Sequence, residues 1–187
     1  MTAIYRKRGN VFESGKTEWR AEDDALVRKH ADGGEARFRW ADVVAIRLHR
    51  NLTMSKRWLH QCTIATRDAR ITIDNAHFLR VGDFEDRSAA YSPFVRATLE
   101  RIATLAPNAR VEIGSAPAQF WPQVLFMSAG LAALAAVLIY IPLPASLPVV
   151  VAVKLAIVVY MLTLLPRWLR GSWPRHGDLK TAAAELP

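Results

Sequence analysis

The chain has 187 residues and a mass of 20.9 kDa, with 25 Lys and Arg against 17 Asp and Glu and a formal net charge of +8. A hydrophobic share of 51% and a charged share of 22% exclude a disordered or collagen-like chain, and the single cysteine, Cys62, excludes an intrachain disulfide framework. The charges are unevenly placed: no Asp, Glu, Lys or Arg occurs from Ile113 through Val153, and Lys154 then stands alone until Arg167.

Residues 1–14 carry Arg6, Lys7 and Arg8 with no apolar run behind them, so they read as a mobile basic arm rather than a signal peptide. The stretch GNVFESGKT from Gly9 to Thr17 is close to a phosphate-binding loop, but five residues separate its glycines where that motif has four. An exposed basic turn is expected there. From Thr17 the apolar positions alternate, and Val44, Ile46 and Leu48 against Ala45, Arg47 and His49 describe a half-buried strand. Further strands are expected over 17–20, 25–30, 35–40, 58–66 and 70–74, with a turn at Asp32-Gly33-Gly34. The polar runs 74–77 and 83–86 read as solvated loops. One helix follows, with Ser92 as its cap, Pro93 at its first position and Pro107 closing it. Its apolar stripe is Val95, Leu99, Ile102 and Ala106. A terminal strand is expected over 109–113 and a flexible link over 115–119.

The run Arg39-Trp40-Ala41-Asp42-Val43-Val44-Ala45-Ile46-Arg47-Leu48, among short strands closed by one amphipathic helix, resembles the bacterial pleckstrin-homology-like domains of small membrane proteins. The resemblance covers about 17–106. It implies an interaction module that presents a surface to proteins or lipids and has no shared active site. A strand after the helix, and apolar segments that follow the domain, depart from that pattern.

Two segments, 120–141 and 147–166, are each long enough for about 20 apolar residues, the length that crosses a bilayer. Pro142 and Pro144 interrupt them, so a hairpin with a short turn at 142–146 is expected. Arg167, Arg170, Arg175 and Lys180 follow the second segment, which places both ends and the tail 167–187 on the cytoplasmic side. Phe120, Trp121, Trp168 and Trp173 would then gather at the inner interface. Ser128, Ala132 and Ala136 recur every four residues as a helix-packing face, toward the second helix or toward a partner. Lys154 either reaches outward to headgroups or pairs with a partner subunit.

The fold expected is therefore α+β: a small antiparallel β-rich domain over 15–114 with one covering helix, then a two-helix transmembrane hairpin, in a bacterial inner membrane. No catalytic constellation is legible. His60 and Cys62 share one strand face without further ligands, and none of the five histidines is spaced as HxxxH or HExxH. No metal, cofactor or nucleic acid is expected. The candidate contact residues are Arg50, Lys56, Arg57 and Trp58 on the domain, with Lys154, Arg167, Trp168 and Arg170 beyond it. The expected partners are anionic lipid headgroups and other membrane subunits, or a second copy of the chain. The expected function is that of a non-catalytic accessory, assembly or scaffold subunit, with lipid sensing or an oligomeric transporter component as alternatives.

Overall fold

The computed structural model describes residues 2–12, 15–50, 58–140, 152, 154–157, 159–160, 163, 172–184 and 186–187. The chain forms two compact units: Met1–Gly114 together with Arg175–Pro187, and Ser115–Pro174 between them.

The first unit is built on three sheets. β1 (Ala3–Lys7), β2 (Thr17–Ala21), β3 (Ala25–Lys29) and β4 (Glu35–Arg39) form an antiparallel meander. β5 (Val43–Arg50), β6 (His60–Thr66) and β7 (Arg70–Asp74) pair antiparallel in a second sheet. β8 (Ala76–Arg80) and β9 (Asp83–Asp86) make a hairpin, and α1 (Ser88–Leu105) follows. β10 (Arg110–Ile113) then joins the second sheet beside β5, parallel to it. A strand reached through a helix returns in the direction of its neighbour, which is why this one pairing is parallel among antiparallel ones. The C-terminal segment adds β11 (Arg175–His176) beside β10 and a short α3 (Leu179–Ala184).

Alternation of apolar and polar residues sends one face of each large sheet inward. Tyr5, Trp19, Leu26, Ile46, Cys62, Ile64 and Ile73 meet there, under Tyr91, Phe94, Val95, Leu99 and Ile102 of α1. The expected helix stripe is thus buried. Trp40, in a 3-10 turn over Trp40–Asp42, is completely enclosed. Its Nε1 donates to the Glu22 carbonyl at 3.0 Å and its backbone N–H to the Asp24 carbonyl at 3.1 Å. Ala182 of α3 belongs to the same core, and Ser92 Oγ lies 2.9 Å from the Pro187 carbonyl oxygen. The C-terminal segment therefore completes the first unit.

Several expectations change. The basic arm contains β1: Arg6 pairs with Glu18 and Lys7 with Asp74, so its cations are neutralised by strands distant in sequence. The runs 74–77 and 83–86 are largely strand, not loop. Val44 is exposed and Val43 buried, because a bulge between Val43 and Ala45 shifts the pairing of β5 with β6. The helix begins a turn before Ser92, with Pro93 inside it. The free first-turn amide of Ser88 is satisfied by Asp86 Oδ1 at 2.9 Å, and Ser92 Oγ instead donates back to the Ser88 carbonyl.

The transmembrane hairpin is corrected, and with it the placement of the chain as a multi-pass inner-membrane protein. Among the described residues no helix is long and apolar enough to cross a membrane. The first segment lies in α2 (Pro117–Tyr140), whose opening turns carry Gln119, Pro122 and Gln123 and whose middle carries Ser128 and Gly130. Phe120 is fully buried, edge-to-face with both Trp121 and Trp173 at 5.4 Å, so it packs on protein rings rather than facing lipid. Trp121 and Trp173 also meet each other at 6.4 Å, and Ser115 N–H donates to the Ser172 carbonyl. The three rings thus gather within the second unit, while Trp168 lies outside the described residues. So do the turn at 142–146 and most of 147–166, where Ala152, Lys154–Ile157, Val159, Tyr160 and Thr163 are described as helical.

Candidate interaction site

The end of the β5–β6 hairpin is organised by one side chain that the sequence reading left as a solvated loop residue. Asn75, between β7 and β8, has no exposed surface. Its Oδ1 accepts the His60 N–H at 2.9 Å, and its Nδ2 lies 2.8 Å from the Trp58 carbonyl, 2.9 Å from Asp86 Oδ1 and 2.8 Å from Ser88 Oγ. Its own backbone accepts from Arg87 N–H and donates to the His60 carbonyl. A buried amide can use all its donors and acceptors only when several segments converge on it. Asn75 therefore ties the start of β6 to the hairpin β8–β9 and to the first turn of α1.

Arg50, at the last position of β5, is exposed, and Trp58, two residues before β6, is half-buried. Lys56 and Arg57, the other two candidate contacts on this domain, lie outside the described residues. So do Arg167 and Arg170. Lys154 is helical and half-buried. Ser128, Ala132 and Ala136 are all exposed on α2.

Around them, the second unit shows large apolar side chains to solvent: Trp121 is 60% exposed, Leu125 72% and Phe126 78%, with Leu155 at 62% and Val159 at 52%. Trp121, Leu125, Ser128, Ala132 and Ala136 fall at three- or four-residue steps, so they share one side of α2. Compared with protein-family models, curated proteins and solved structures, the chain finds no match.

Among the described residues two of the most strongly shifted groups lie in the core. Burial pushes the Cys62 thiol up to about 12, so it stays protonated and unreactive. Tyr91, wholly enclosed, is also raised by burial, and its hydroxyl has no partner among the described residues. Among the described residues no group of three His, Cys, Asp or Glu could hold a metal ion.

His77 is a pH-sensitive tie. Its Nδ1 accepts the Arg8 N–H at 2.9 Å while the Arg8 carbonyl accepts from Phe78 N–H at 2.8 Å, so β1 and β8 are stitched together there. Burial, then Arg87, lowers the pKa of His77, with Lys16 and Arg8 adding to this and Glu85 opposing it. Burial lowers His49 as well. A histidine depressed in the folded state stabilises the fold above its unfolded value, about 6.5, and loses that contribution as pH falls below it. The urea midpoint is therefore expected to fall between about pH 7.5 and 5.5. In His77→Asn, whose amide oxygen can accept the same N–H, the fall should be shallower. An unchanged pH slope in that variant would remove His77 from the account.

Proposed function

We propose that this protein is a non-catalytic interaction protein, an accessory or scaffold subunit whose helical unit seats another protein chain. One observation carries the reading: Trp121, Leu125 and Phe126 stand largely in water on a single helix, where exposed apolar surface of this size marks an association site. The small residues Ser128, Ala132 and Ala136, on the side of Trp121 and Leu125, would let a second helix backbone approach closely, with Phe126 farther round the helix. The resemblance of the sequence over about 17–106 to pleckstrin-homology-like domains, if it holds, would make the β-rich unit an interaction module as well. That unit has a four-stranded meander, a second sheet, and α1 and α3 on the core. Arg50 and Trp58, held at a fixed base by Asn75, offer a second contact.

The first partner to test is another copy of the chain. Native mass measurement should find species heavier than the 20.9 kDa protomer. Leu125→Asp with Phe126→Asp should shift the population to that protomer mass, since each places a charge in the apolar contact. A wild-type chain that remains a lone protomer at all concentrations would count against self-association through this face.

A further inference from the structure

Burial divides α2 around its axis. Val124, Met127, Leu131 and Leu134, at steps of three and four residues, are half-buried and form one side. Trp121, Leu125, Ser128, Ala132 and Ala136 are exposed, about a third of a turn away. From Pro117 to Tyr140 the helix has no Asp, Glu, Lys or Arg. Charge therefore neither selects a partner for the exposed side nor sets the direction in which a partner helix lies there. Size is what remains.

The sizes are ordered along the helix. Trp121 and Leu125 come first, both large and largely in water; Ser128, Ala132 and Ala136 follow, all small. Helices that pack closely lie about 8–10 Å apart and set large side chains into the spaces over small ones. A parallel copy, related by a two-fold along the helix, would set each residue against itself. Trp121 would then meet Trp121 and hold the N-terminal halves apart, while alanine met alanine across a void that forfeits its dispersion contacts.

An antiparallel copy reverses the order of sizes. With the two-fold between Ser128 and Ala129, Leu125 stands opposite the second copy's Ala132 and Trp121 opposite its Ala136, and the same two contacts recur on the far side of the axis. Each large residue of the stripe then meets a small one, over about 22 Å of helix. The stripe is thus complementary to itself, and a second copy of the chain is the occupant that fits it. We propose that α2 pairs with the α2 of a second copy, antiparallel, about a two-fold axis at Ser128 and Ala129. The proposal rests on the association reading and adds to it the partner and the direction of approach.

The test mixes full-length chains carrying Leu125→Cys with full-length chains carrying Ala132→Cys, under oxidation by copper phenanthroline. Tags of different mass separate the products on a non-reducing denaturing gel. Cys62 does not compete, because it is fully buried and its thiol is pushed up to about 12. The mixed dimer, joined from 125 to 132, should be the main product. A second measurement needs no cysteine: Ala132→Leu sets leucine against leucine and should weaken association by about tenfold. Adding Leu125→Ala to the same chain restores a large residue opposite a small one and should recover it. Homodimers of the singly substituted chains as the main product would overturn the pairing. So would a native mass that shows association without any cross-link, or an Ala132→Leu chain that associates as before. A native mass that stays at the protomer would overturn it together with the association reading.

Discussion

Replacing Asn75 with alanine should destabilise the β-rich unit by about 3–5 kcal/mol in urea unfolding, a large part of what a domain of this size possesses. The substitution strands the His60 N–H, which loses its acceptor at 2.9 Å in a fully buried setting. It also removes the donor shared by the Trp58 carbonyl, Asp86 and Ser88. An unmade buried hydrogen bond costs about 1–3 kcal/mol, and several are lost together here. The exposed Asn108 provides the comparison, since Asn108→Ala should change stability by no more than about 0.5 kcal/mol. A loss below about 1 kcal/mol for Asn75→Ala would mean that the three segments do not depend on this side chain.

Trp40→Ala is the second large effect, with an expected loss of about 3–5 kcal/mol. The ring is completely enclosed between the two large sheets' core residues and α1, which packs on the turn that carries it. Removing it leaves a cavity that the surrounding backbone cannot close, because that backbone is fixed by the Trp40 N–H bond to the Asp24 carbonyl. Trp40→Phe should retain most of the apolar contact and lose chiefly the bond to the Glu22 carbonyl, costing about 1–2 kcal/mol. Urea unfolding of both variants measures the difference. Equal losses would show that the hydrogen bond, and not packing, is what Trp40 supplies.

Much of the β-rich unit was legible because period-two alternation is a local signal. The strands around 17–20, 25–29, 35–39 and 70–74 are found within a residue or so of where the pattern puts them. β1 was not legible, since Arg6 and Lys7 look like a solvated arm until Glu18 and Asp74 are brought beside them. Asn75 was not legible for a related reason. Its partners come from positions 58, 60, 86 and 88, and no local pattern announces that convergence. The start of α1 was misplaced because Ser92-Pro93 has the form of a cap, whereas the acceptor used is Asp86, supplied by the hairpin before it. The apolar segment taught a different lesson. A charge-free run shows that water is disfavoured, but not what replaces it; around Phe120 the replacement is Trp121 and Trp173.

The β-rich unit is closed by its own C-terminal segment, and the helical excursion carries the proposed association face. Ile113 and Arg175 are cross-strand partners, so the excursion leaves and returns at neighbouring points of the ladder. Two residues can bridge such an antiparallel pair. The most direct measurement is the solution mass and unfolding curve of a chain in which 114–174 is replaced by Asn-Gly. The account predicts a cooperatively folding protomer that no longer associates. A shortened chain that fails to fold, or one that associates as the full chain does, would contradict it.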